Sequence, residues 1–138
     1  MPFTGPIEDQ QAIRTLHDLY ADAVFRRDAA DWGANWAEDG HWFLMGTPVD
    51  GRDAIVTLWN GAMSGFAFVA FFSQPAAIEI DGDRATGRVY THEVLETQDG
   101  AIRRPVGRYE DVYVKRDGRW LYKDRHYTML KDTEGTGA

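Results

Sequence analysis

The feature that most constrains this chain is a change of periodicity at Gly65. Before it, apolar residues recur at helical spacing: Ile13, Leu16, Tyr20, Ala23 and Val24 in one segment, Ile55, Leu58 and Trp59 in another. After it, long alternating segments are separated by tight-turn signals. "FAFVAFFSQPAAIEI" runs to Asp81-Gly82-Asp83, and "RATGRVYTHEVLE" to Gln98-Asp99-Gly100. "AIRRPVGRYEDVYVK" runs to Arg116-Asp117-Gly118, and "RWLYKDRHYTML" closes the series. Helices followed by a meander of strands mean an α+β fold, with helices packed on one face of a curved, mainly antiparallel sheet. Pro75 and Gly87 within strands suggest the bends that curve it. The sheet is expected from about Phe66 to Met129, and the helix against it from about Ile7 to Asp28. A second, short helix should follow, N-capped by Asp31 and carrying Trp32 and Trp36. A strand is expected over 39–45 and a helix over 51–63. Residues 1–130 read as one domain and 131–138 as a flexible tail.

Composition narrows the classes of function. At 138 residues, 43% of them hydrophobic, the chain can bury a core without staples. Fifteen basic and 22 acidic residues give a net charge of −7, and no Lys/Arg run offers a track for phosphates. Nucleic acid is therefore not an expected partner. The absence of cysteine excludes disulfides, thiolate metal sites and a cysteine nucleophile. No two of the four histidines stand at metal-ligand spacing, so no metal is expected, nor any other cofactor. No apolar stretch approaches membrane-spanning length and the N-terminus lacks a signal-like pattern, which makes a cytoplasmic location the expectation and a membrane partner not one.

The order of elements, and particular residues within it, resemble the SnoaL-like group of the nuclear transport factor 2-like superfamily. The stretches that carry the likeness are "IRTLHDLYADAV" leading to Asp28, "DAADW" (28–32), "AEDGHW" (37–42), "EIDGDRATG" (79–87) and "GRYEDVYVKRDGRW" (107–120). The group includes polyketide cyclases, scytalone dehydratase and hexachlorocyclohexane dehydrochlorinase. The resemblance implies a cone-shaped fold with a small-molecule cavity at its mouth. In lyases of the group, an aspartate ending the first helix works with a strand histidine that takes a proton from carbon. Asp28 matches that aspartate. The histidine position falls at about Phe71, and a lysine one turn before the aspartate falls at Ala23, so the usual dyad is half present.

Three residues are the candidates for chemistry: Asp28 as base, with Tyr109 and Arg125 as helpers. Arg125 matches an arginine lining the dehydrochlorinase pocket, and Tyr109 a pocket-facing position. Periodicity gives a different reading of the helix end. Arg27 lies nearer the centre of the apolar arc, so that it snorkels near the C-terminus while Asp28 starts a turn. Tyr20, Val24, Trp42, Leu44, Trp59, Phe66, Val69 and Phe71 are expected as a largely apolar, aromatic wall. If Val89 and Leu95 face the cavity, strand alternation brings Thr91 and Glu93 with them. Glu93 would then be either paired with Arg125 or kept protonated for general acid work. His17 and His41 are expected at the surface or rim. Arg88, Tyr90 and His92 point outward, a face suited to a homodimer.

Two functional readings follow. The leading one is a cofactor-independent lyase or isomerase, of dehydratase or cyclase type, moving a proton on a hydrophobic or aromatic substrate. The alternative is a non-catalytic domain for ligand binding or assembly, similar to the small subunits of ring-hydroxylating dioxygenases. Asp28 with Arg125 favours the first; Phe71 favours the second.

Overall fold

The computed structural model describes residues 2–136. In chain order the elements are β1 (Phe3–Thr4), α1 (Ile7–Arg26), α2 (Ala29–Gly33), β2 (Trp36–Leu44), β3 (Thr47–Asp50) and α3 (Arg52–Met63). Then follow β4 (Phe66–Asp81), β5 (Arg84–Thr97), β6 (Ala101–Arg103), β7 (Val106–Arg116), β8 (Arg119–Lys131) and β9 (Glu134–Thr136). The α+β expectation holds: three helices lie against one large, bent sheet.

α1 forms because its apolar residues make one stripe: Ile13, Leu16, His17, Tyr20, Ala23 and Val24 are buried. Glu8 and Asp9 in its first turn suit the positive end of the helix dipole. Asp9 also accepts hydrogen bonds from Lys115 Nζ at 3.1 Å and Trp120 Nε1 at 3.0 Å, pinning the helix start to the β7–β8 hairpin. The helix ends at Arg27, whose φ of 54° is left-handed and whose N–H returns to Val24 O at 3.1 Å. The short α2 that follows is capped by Asp28 rather than Asp31, and Trp36 belongs to β2 instead of that helix. Burial decides this: Trp36 is wholly enclosed against Trp32, Trp42 and Tyr122, which a strand turning inward achieves.

The sheet order is β1-β4-β5-β7-β8-β2-β3. β4, β5, β7 and β8 form the expected antiparallel meander, while β1 and β2 add to its two sides in parallel. Asp117 and Gly118 join β7 to β8 with φ of 52° and 76°, the pair of positive angles that a two-residue hairpin of this twist demands. The register slips between Pro75 and Ala77 and again between Val112 and Tyr113, so two adjoining parts of the sheet bend. The segment read as a free tail is a correction: β8 runs on through Lys131, and β9 pairs with β6. Backbone hydrogen bonding to an otherwise open strand outweighs the polar composition there; residues 137–138 lie outside the described residues.

Between α1 and the sheet sits an aromatic core. Trp32 and Trp59 stack with centroids 4.5 Å apart, and Tyr20 touches Trp32, Phe71 and Tyr122. Such rings bring large buried area at small side-chain entropy cost.

Candidate functional site

A cavity of ≈ 240 Å³ opens between the end of α1, β2, α3 and the inner faces of β4, β5, β7 and β8. Nine of the expected residues line it: Tyr20, Val24, Trp42, Leu44, Trp59, Phe66, Phe71, Glu93 and Tyr109. Alternation on β5 places Glu93 inward with Val89, Thr91 and Leu95, but only Glu93 and Leu95 reach the cavity. Val69, Val89 and Thr91 were expected as its wall and are instead buried core that does not line it.

Arg125 is also inward, yet it is not a lining residue. Its guanidinium is sealed at 1% exposure. It is sandwiched among rings, with Cζ 3.7 Å from the Tyr109 centroid, 4.4 Å from Tyr122 and 4.8 Å from Tyr20. Its partner is Asp111, through Nε at 2.8 Å and Nη2 at 3.1 Å. The expected Glu93–Arg125 pair does not form. Asp111 stands on β7 directly opposite Arg125 on β8, and a cross-strand neighbour is reached before a carboxylate two strands away.

Behind this pair runs a chain of buried hydrogen bonds. Tyr113 Oη donates to Asp111 at 3.1 Å, so it accepts from His17 Nε2 at 2.7 Å. That leaves His17 Nδ1 to accept from the Tyr122 hydroxyl at 2.7 Å. His17 is therefore core, not surface, because α1 turns it against β7 and β8. Burial, with the Arg125 and Arg14 cations, holds its pKa well below the usual value, and the ring is neutral. Burial pushes the Asp111 carboxyl up, and Arg125 opposes that rise.

Asp28 departs from the inward placement that the resemblance implied. Its Oδ1 accepts the Asp31 N–H at 3.0 Å as the N-cap of α2, and its Oδ2 meets Arg26 at 3.2 Å. Arg26 also holds Asp22 and Asp31, making a surface cluster. An aspartate next to an unsatisfied helix start is drawn to its amides. Arg27 points away too, its Nη1 donating to Met63 O at 3.4 Å.

Within the cavity the titratable groups are carried by different elements. Glu93 has no hydrogen-bond or ion-pair partner among the described residues, and burial pushes its pKa to about 7. Tyr109 accepts a 3.2 Å hydrogen bond from Trp42 Nε1 and lies close enough to the Tyr20 hydroxyl to lower its pKa, and burial holds the Tyr109 hydroxyl well above the usual pKa. Tyr127 is raised to about 12, first by burial and then by Glu93, with nearby Thr91 opposing the rise, and its hydroxyl has no well-formed hydrogen bond among the described residues. Arg103 reaches the rim, with Nε 3.1 Å from Asp132. Tyr127 and Met129 were missed in sequence although they share the parity of Arg125 on β8, a signal that was available. Met45, Arg103 and Pro105 lie in loops or at an edge and gave none.

The outer sheet face carries a larger groove of ≈ 490 Å³ among His41, Glu79, Thr86, Arg88, Glu110, Asp124 and His126. It is open and polar, whereas the inner cavity is walled by rings, the usual character of a small-molecule site. Among the described residues no histidine or carboxylate cluster is arranged to hold a metal, and no helix is long and apolar enough to cross a membrane.

Fold and cavity together describe a small α+β cone with a half-open cavity between its helices and its sheet. The chain belongs to the SnoaL-like domain family, which matches residues 6–126, and its fold is the nuclear transport factor 2-like cone. Similar solved structures include a candidate scytalone dehydratase from Novosphingobium aromaticivorans, at 20% identity and TM-score 0.86, covering 92% of this chain and 87% of that one. A candidate aromatic ring hydroxylase from the same species has 25% identity and TM-score 0.87, covering 96% of each chain. A hexachlorocyclohexane dehydrochlorinase from Novosphingobium barchaimii has 18% identity and TM-score 0.85, covering 96% of this chain and 93% of that one. No curated protein matches the chain in sequence.

Proposed function

We propose that the protein is a cofactor-independent lyase or isomerase that moves a proton on a hydrophobic or aromatic small molecule held in the inner cavity. The observation that carries this reading is the Glu93 carboxyl, without a partner among the described residues, in a cavity walled mostly by rings and aliphatic groups with Arg103 at its rim. A carboxyl there with a pKa near neutrality is suited to acid–base work. Tyr109 stands by as a neutral hydrogen-bond donor, and Arg125, locked to Asp111, fixes the rings of Tyr109 and Tyr20 from behind. The dehydratase and dehydrochlorinase names among similar structures agree with elimination chemistry.

A second reading, a non-catalytic ligand-binding or assembly domain, is favoured by Phe71 and by the outward commitment of Asp28. Binding and turnover separate the two. Neutral one- and two-ring phenols and ketones should quench Trp42 and Trp59 emission and raise the melting temperature, and one of these classes should be converted. Binding without any conversion across the panel would favour the domain reading. No binding at all would remove the ligand from both.

A further inference from the structure

We propose that Glu93 is the catalytic acid–base residue of the cavity and that its substrates are uncharged ring compounds bearing an acidic C–H bond. The inference rests on the proton-transfer reading above and assigns it a residue. Glu93 on β5 is the register partner of Phe71 on β4. Directly opposed side chains on one sheet face stand with Cβ atoms about 5 Å apart. A flat ligand lying on the Phe71 ring therefore has the Glu93 carboxyl beside it.

The charges around the chamber define the ligand. Tyr20 faces it from α1, Trp42 from β2, Tyr109 from β7 and Tyr127 from β8. Arg125 holds Asp111 through Nε and Nη2, its Nη1 enclosed behind the tyrosine rings without a hydrogen-bond partner among the described residues, and Arg103 holds Asp132 at the rim. A ligand carboxylate would find no free guanidinium among these lining residues and would meet Glu93 instead. An uncharged molecule meets no such penalty. The chamber volume of ≈ 240 Å³ suits one or two rings.

In the step itself, the Glu93 carboxylate takes a proton from substrate carbon. The electron pair of that C–H bond shifts to the adjoining atom, expelling a leaving group or forming an enolate. Either way Glu93 is left protonated: after elimination it gives that proton to the departing group or to solvent, and in the enolate case it returns it at a second carbon, so nothing is consumed. The hydroxyls of Tyr109 and Tyr127, both kept protonated, are the donors for a developing oxyanion. With a pKa of about 7, both forms of Glu93 are present at neutral pH.

The probe is 5-nitrobenzisoxazole, a neutral two-ring compound. Removal of its C3 proton sends the C–H pair into a nitrile and breaks the N–O bond, releasing a coloured phenolate. Wild type, Glu93→Gln and Asp28→Asn are compared, and the Glu93 carboxyl is titrated in wild type by carbon-13 NMR, with Glu93→Gln giving the assignment. The expected result is a rate in wild type and Asp28→Asn that exceeds Glu93→Gln by ~10²-fold or more. That rate should rise with pH along the NMR titration of Glu93, at about 7. Equal rates in wild type and Glu93→Gln, no acceleration by wild type, or an ordinary glutamate titration midpoint would each overturn the assignment. Loss of rate in Asp28→Asn alone would overturn it while leaving the proton-transfer reading standing. Failure of the probe and of the neutral panel to bind would end both.

Discussion

Arg125 and Asp111 clasp each other by two hydrogen bonds, at 2.8 Å and 3.1 Å, with both side chains closed off from solvent. Removing one partner leaves the other charge buried and uncompensated, which typically costs ~3–5 kcal/mol. Asp111→Asn and Arg125→Met are each expected to lose that much in urea unfolding. The double variant Asp111→Leu/Arg125→Met should lose markedly less than the two single losses combined. Strict additivity would mean that the pair is not a unit.

Glu93 should leave a signature in stability as well as in chemistry. Its folded pKa is raised, from 4.5 to about 7, so the folded protein holds the proton more tightly than the unfolded chain. Its contribution is therefore complete below about 4.5 and is lost as pH rises through about 7. Glu93→Gln should match wild type at acidic pH and exceed it by about 2 kcal/mol near pH 8, allowing for partial exposure at the cavity mouth. His17 works in the opposite direction. Its depressed pKa costs stability as pH falls below the unfolded value of 6.5, but this is common to both proteins and cancels in the difference. A difference in stability that does not change with pH would contradict the assignment of the shift.

Asp28 is expected to act as a cap. Asp28→Ala should cost about 1 kcal/mol, whereas Asp28→Asn, which can still accept the Asp31 N–H, should cost a few tenths. Chemical denaturation checks both. Equal losses in the two variants would show that the Arg26 ion pair, and not the cap, is what the residue contributes.

The outer sheet face is expected to meet a second copy of the chain. Arg88, Tyr90 and His92 are exposed there, and Arg88 shares the polar groove with Glu79, Glu110 and Asp124. A two-fold axis would let each sign meet the other. Light scattering at micromolar concentration should give the mass of two chains, and Tyr90→Glu should shift it towards one. A single-chain mass for the wild type would exclude this pairing.

The sequence made the meander and most of the cavity wall legible because strand alternation is a strict rule. Once Val89 faced inward, Glu93 had to follow. The helix end was harder to read. Resemblance drew Asp28 inward, but periodicity had already placed it at the start of a turn, and periodicity was the better guide. Capping is a local force, satisfied within three residues, and it prevailed over a role requiring a partner that this chain replaces with Phe71. The Asp111–Arg125 pair was hidden for another reason. Which carboxylate an arginine meets depends on cross-strand register, and register shifts at the Val112/Tyr113 irregularity cannot be counted from a single strand. His17 looked superficial because a lone histidine carries no sign of the two tyrosines that enclose it.

The ring of Tyr127 stands where a side chain on Gly107 would have to be, and a Cβ at that position would overlap it. One boundary of the chamber is thus drawn by an atom that is missing. A methyl group there would force the Tyr127 ring to move, and a move into the cavity would shrink it without changing a single lining residue. The bore of this cavity is therefore set in part from outside its lining.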